Sequence, residues 1–266
     1  MMKNLCQDLT DEYQALDDLV SGSDSEIWQI ETPFYGWTVF DAVAHLAFFD
    51  HESVLVMEDP EAFRQRAKQI MKLMTAGKSL SAHTNHLLPV SSGTELLDFW
   101  REIREKMILG LEKRAPDHRL CWYGPDMGAS SFASARLMEG WAHSQDIYDA
   151  LKIKRENRSR LFHVARMGVM TFKWSFRVNG LPIPDGRPWV KLSGPAGESW
   201  EWGDPNAEEK VWGRAEEFCL VVSQRRNLGD TALRWEGEIA GQWLDIAQVF
   251  AGTPEKGPRP GERLIE

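Results

Sequence analysis

The stretch GWTVFDAVAHLAFFDHESVLVM, residues 36–57, limits the fold more than any other part of the chain. Thr38 followed three residues later by Asp41 reads as a capping box with Asp in place of Glu. It opens a long run with no Gly or Pro. The apolar face of such an amphipathic helix must be buried against others, and the chain supplies them. Leu5, Leu9, Leu16 and Leu19 recur near helical spacing in the opening segment, which Ser21-Gly22-Ser23 stops. Residues 60–76 carry Arg, Lys and Gln on one face and Phe, Ile, Met and Leu on the other, as an outer helix does. Residues 93–114 show the stripe Leu96, Leu97, Trp100, Ile103, Met107 and Leu111, ended by Ala115-Pro116. A further helix begins near Ala129 and runs through SSFASARLMEGWAHSQDIYDALKI. Four long helices joined by short to moderate links predict an antiparallel four-helix bundle, whose interior commonly hosts metal ligands from facing helices.

At residues 152–160 the composition changes to KIKRENRSR, a charged stretch that would not pack. We place a domain boundary there: a helical bundle over 1–155 and an α+β domain over 156–266. The second part has a different grammar. A helix over 161–176 leads to the Pro/Gly-rich NGLPIPDGRP, then to three short segments read as strands, WVKLSG, ESWEWG and ALRWEG. AEEFCLVVSQRR and AGQWLDIAQVFAG read as helices, and the tail GTPEKGPRPGE is expected to be loose.

Composition excludes several functions. A formal net charge of -9 and a pI near 5.4 leave no basic surplus to displace counterions from a phosphate backbone, which argues against nucleic acid as a partner. No apolar window is long enough to span a bilayer, and the N-terminus turns acidic where a signal peptide would be apolar, so a soluble, cytoplasmic protein is expected. Cys6, Cys121 and Cys219 are odd in number and scattered, with no CxxC pair, and are read as reduced thiols; Cys219, inside FCLVV, is read as core.

Glu139 and His143 are four residues apart in a predicted helix, so both side chains lie on one face and can reach the same cation. A catalytic zinc takes about three protein ligands and keeps a further position for water or substrate, so one more ligand is required. His45, in AVAHLAFF, is the candidate, since a histidine has no obvious place on a purely core face. The competing readings are plain: a Glu and His at this spacing commonly form a surface pair, and a lone His commonly sits satisfied in a core. Asp41, one turn before His45, and Asp146, three residues past His143, each suit either ligand orientation or an ordinary cap or surface role. His51, His118 and His163 have no comparable partners. His83 and His86, three apart in an expected loop, form the competing pair.

GWTVFDAVAHL and LMEGWAHSQDI resemble the two metal-binding stretches of the mycothiol-dependent maleylpyruvate isomerase family, a branch of the DinB-like helical-bundle metalloproteins. WVKLSGPAGESWEWG, RAEEFCLVVSQRRN and GQWLDIAQVFAG resemble the C-terminal domain of one subgroup of that family, known mostly as predicted metal-binding proteins. The resemblance covers nearly the whole chain. It implies a DinB-like bundle followed by a small sterol-carrier-like α/β domain that closes the site, with His45, Glu139 and His143 as metal ligands. It also implies an arginine from the C-terminal domain, matched by position to Arg225 with Arg226 beside it. A guanidinium suits that task because its planar fork binds a carboxylate through two parallel hydrogen bonds. The competing reading is that both arginines finish a helix whose dipole favours cations.

The implied chemistry is activation of a low-molecular-weight thiol. The thiolate adds to a cis double bond conjugated with carbonyls, the bond rotates, and elimination returns the trans isomer. Related bundles transfer thiols to electrophiles, so isomerisation and conjugation of a small electrophilic acid both fit, and mycothiol, glutathione or bacillithiol would serve. Two imidazoles and one carboxylate suit zinc and would accept nickel or iron. The rivals are a non-catalytic protein with a closed metal site, and a small-molecule-binding module carrying some of the 12 tryptophans. No feature of the sequence selects an oligomeric state.

Overall fold

The computed structural model describes residues 2–22, 25–75 and 87–264. The chain divides into two compact units, Met1–Ala150 and Leu151–Glu266. His83 and His86 lie outside the described residues.

The first unit is helical. Helix α1 (Met2–Ser21) buries Leu5, Leu9, Tyr13, Leu16 and Val20. Leu19, read as part of that stripe, is only half-buried, because the face turns with the 3.6-residue period onto Val20 instead. Helix α2 (Val39–Glu58) starts at Thr38, whose Oγ1 accepts from Asp41 N–H at 3.1 Å while the Asp41 carboxylate accepts from Thr38 N–H at 2.9 Å. Both halves of the capping box form, satisfying two donors that a helix start leaves open. Helix α3 (Pro60–Thr75) lies against α2. Helix α4 (Gly93–Glu112) is capped by Ser92 and buries the six residues of its predicted stripe.

Two short strands, β1 (Arg119–Leu120) and β2 (Met127–Gly128), pair antiparallel just before helix α5 (Ala129–Ala150). They escape sequence reading because two residues carry no periodicity. In the bundle α2 packs against α4 and α5, and α1 against α5 and α4. Gly140 permits the α1–α5 approach, since a Cβ there would lie 2.5 Å from Tyr13 Cε1.

The second unit opens with helices α6 (Leu161–Met170) and α7 (Phe172–Val178), which replace the single helix expected over 161–176. The break falls at Thr171, whose hydroxyl donates back to Met167 O and Gly168 O and bends the chain. Strands β3 (Trp189–Ser193), β4 (Ser199–Trp202), β5 (Lys210–Arg214) and β6 (Arg234–Glu236) form one sheet in the order β4-β3-β5-β6. β3 and β5 run parallel, and the other pairs run antiparallel. β5 was not anticipated from KVWGR, where Gly213 interrupts the strand pattern with a φ of 152°. Helix α8 (Ala215–Val222) packs on α6, and α9 (Glu238–Ile246) follows β6.

The Gly/Pro-rich tail, expected to be loose, is tied down. Gln224 Nε2 donates to Glu255 O, Asn227 Nδ2 to Pro258 O, and Gly261 N–H to the Asp230 carboxylate. Backbone carbonyls that composition leaves unassigned are thus claimed by side chains far away in sequence. No helix among the described residues is long and apolar enough to cross a membrane.

Candidate metal centre

His45 projects from α2, and Glu139 and His143 project from one face of α5. His45 Nε2 lies 3.5 Å from Glu139 Oε2, and His143 Nε2 lies 3.6 Å from the same oxygen. One ligating atom from each residue falls within 4.8 Å of the other two, a spread that could hold a metal ion. Both histidines are buried and Glu139 is partly so. None of His51, His118 and His163 joins such a group among the described residues.

The electrostatics suit ligation. Burial pushes the His45 pKa down to about 4, against the pull of the Glu139 carboxylate, so this imidazole is neutral at pH 7 with a lone pair to give. Burial alone would raise the Glu139 pKa, but hydrogen bonds from His143 and His45 hold it well below the usual carboxylate range. A neutral donor and an anionic donor therefore face one another, as an Nε2/carboxylate set requires.

The two aspartates read as either orienting or ordinary groups have separated. Asp41 serves the cap of α2. Asp146 is fully buried, with Oδ2 3.3 Å from His143 Nδ1. That is close enough for electrostatic support of the ring, although the pair is not aligned as a hydrogen bond.

Aromatic rings that the sequence did not flag enclose the histidines. Trp37 stacks on His143 at 5.4 Å and 8°, and tilts against His45 at 5.2 Å. Phe34 meets His143 edge-on at 5.1 Å, and Phe49 meets His45 at 4.7 Å. Phe49 sits four residues past His45, so helical spacing could have found it. Nothing in the sequence joins Trp37 to residue 143.

A second buried polar set, also missed, spans the same helices. The Asp50 carboxylate accepts from Tyr13 Oη at 2.9 Å, Arg136 Nε at 2.9 Å and Trp100 Nε1 at 2.8 Å. Arg136 precedes Glu139 by three residues on α5, and its charge opposes protonation of His45.

Arg225 and Arg226 belong to the second unit. α8 ends at Val222, short of the helix expected through both arginines, because Gln224 takes a left-handed φ of 59°. Arg225 N–H and Arg226 N–H both donate to Leu220 O, at 2.7 and 3.2 Å. Both side chains are buried, with Arg225 Nη1 donating to Ser223 O and Arg226 Nη1 to Arg225 O.

Burial raises the Cys6 pKa to about 11, with help from Glu112, and holds Cys219 well above the usual thiol value. Neither thiol supplies a thiolate at neutral pH.

A helical bundle presenting a His/Glu/His cluster, followed by a small α/β unit, defines the class. The model of the mycothiol maleylpyruvate isomerase N-terminal domain matches residues 9–148. Two relatives described as uncharacterized proteins of Mycobacterium tuberculosis, from strains CDC 1551 and H37Rv, are each 38% identical over 254 residues, covering 94% of this chain and 96% of their own length. The fold is that of the mycothiol-dependent maleylpyruvate isomerase. The crystal structure of a histidine-to-alanine mutant gives a TM-score of 0.54, and a second structure gives 0.52; each is 13% identical, with 85% of this chain and 90% of the other covered. The chain belongs to the mycothiol maleylpyruvate isomerase family.

Proposed function

We propose that the protein is a metal- and thiol-dependent enzyme that isomerises or conjugates a small electrophilic acid, with a divalent ion, zinc first among candidates, held by His45, Glu139 and His143. The convergence of the three ligating atoms within 4.8 Å carries this reading. The family points to mycothiol as the thiol and to an acid with a conjugated double bond as the substrate. When bound, a divalent ion lowers the pKa of a coordinated thiol and so supplies thiolate near neutral pH.

The residues of the chain do the rest. Glu139 contributes one negative charge and the histidines ligate as neutral imidazoles, so a divalent ion leaves the set with a net charge of about +1. A monoanion such as a thiolate balances it. Trp37, Phe34 and Phe49 keep the surroundings apolar, which strengthens that attraction. Arg225 is assigned to the substrate carboxylate or the developing enolate, with Arg226 as its neighbour. Neither Cys6 nor Cys219 provides a nucleophile, in keeping with a thiol drawn from solution.

Cobalt substitution tests the reading. Adding mycothiol to the Co2+ protein should produce sulfur-to-metal charge-transfer absorption; a spectrum that ignores thiol would mean a closed, non-catalytic site. Turnover of maleylpyruvate with mycothiol should fall by about 100-fold or more in Arg225→Ala if that side chain stabilises developing charge. Unchanged turnover would remove Arg225 from the scheme.

A further inference from the structure

We propose that Trp37 is a positioning residue that fixes the planes of both histidine rings, and that the turn before α2 is built to hold it there. The inference rests on the metal reading above.

Histidines that bind metals are usually oriented by the second ring nitrogen, which donates to a carboxylate or carbonyl. Here His45 Nδ1 and His143 Nδ1 are both buried without an aligned hydrogen-bond partner among the described residues. Asp146 lies beside His143 but off the line of its N–H. Ring rotation is therefore restrained by what the rings touch. Trp37 touches both: nearly parallel to His143 and inclined by 52° to His45. Phe34 braces the arrangement, edge-on to Trp37 at 5.0 Å and 87°.

The backbone is shaped to deliver that indole. Residues 34–37 form a tight turn closed by Trp37 N–H donating to Phe34 O at 2.9 Å. Tyr35 and Gly36 both have positive φ, 52° and 70°, the pattern of a type I′ turn. Glycine adopts it freely, but a bulky tyrosine does so only under constraint, and such outliers gather at functional sites. The constraint is visible. Thr32 N–H donates to Trp37 O at 2.7 Å, Val39 N–H donates to Ile30 O at 2.9 Å, and Glu31 bridges Thr38. Thr38 is also the N-cap of α2, so the turn and the helix carrying His45 share one anchor.

The test uses the full-length protein with Co2+ as probe. Trp37→Leu should weaken Co2+ affinity by about 10–100-fold and change the visible d–d bands, while Trp37→Phe, which keeps an aromatic face, should stay within about 3-fold of wild type. In the metal-free protein, the His143 ring protons should lose their ring-current shift in Trp37→Leu. Co2+ should quench wild-type tryptophan emission more than it quenches Trp37→Phe, a readout that survives if the leucine variant folds poorly. Wild-type affinity, spectrum and ring shifts in Trp37→Leu, or undiminished quenching in Trp37→Phe, would overturn the inference and leave the metal reading standing. A wild-type protein that takes up no Co2+ would remove both.

Discussion

Two buried polar sets share α2 and α5, and they are built on opposite plans. Around Asp50 every strong group has its complement: one carboxylate receives Tyr13, Trp100 and Arg136. Around Glu139 two imidazoles and a carboxylate direct possible ligating atoms toward one another, and neither Nδ1 has an aligned partner among the described residues. The first set is complete as protein and pins α1, α4 and α5 to α2. The second is the set we propose for a cation. Burial of ionisable groups is common to both, and what separates framework from site is whether the chain itself balances them.

Breaking the inner set should cost the most. Arg136→Met leaves the Asp50 carboxylate buried without its cation, and denaturant unfolding should show a loss of about 3–5 kcal/mol. By contrast, Glu139→Gln in metal-free protein gives up the contacts that hold its carboxyl low but leaves the Arg136–Asp50 pair intact, so it should cost clearly less than Arg136→Met. A large loss there would erase the distinction. Metal should then separate the sets again: at a free ion concentration about 100 times Kd, wild type gains about 2.7 kcal/mol and Glu139→Gln gains none, read as a shift in melting temperature. Elemental analysis of His143→Ala purified without added metal should show the same loss of uptake.

Gly140→Ala sharpens the geometry of the frame. Its Cβ would enter the space of the Tyr13 ring, and a cost of about 1–3 kcal/mol is expected in thermal unfolding.

The smallest effect is electrostatic and joins α1 to α4. Burial would raise the Asp17 pKa, but hydrogen bonds from Arg101 and the charge of Arg104 hold it below 3.8. The folded chain thus binds this proton less readily than the unfolded chain does. The stabilisation is complete above pH 3.8 and is lost as pH falls through the lower folded value. Solvent screens the share of Arg101, 42% exposed, but not that of Arg104 on the buried Asp17, so Asp17→Asn should flatten the acid limb of the stability curve by about 1 kcal/mol.

Much of this organisation is local and therefore legible in the chain. Thr38 and Asp41 announce the start of α2, the stripe of α4 follows the helical period, and Glu139 and His143 share a face by spacing alone. His45 could be nominated because a histidine is out of place in an apolar run, and the family likeness joined it to the other two. Other features needed contacts between distant segments. Asp50 and Arg136 carry no mutual signal, Trp37 reads as one more core aromatic, and the tail's fastening depends on Gln224, Asn227 and Asp230. The end of α8 at Gln224 is likewise set by a left-handed backbone that no propensity assigns to glutamine.

The chain by itself determined where helices begin, which faces they bury and which residue types could ligate a cation, because these follow from hydrogen bonding and side-chain periodicity over a few residues. Tertiary structure decided which polar groups find complements, since ring stacking and ion pairing depend on angles and distances between elements. That is why Asp50 on α2 is satisfied in the frame while Glu139 on α5 gathers two histidines.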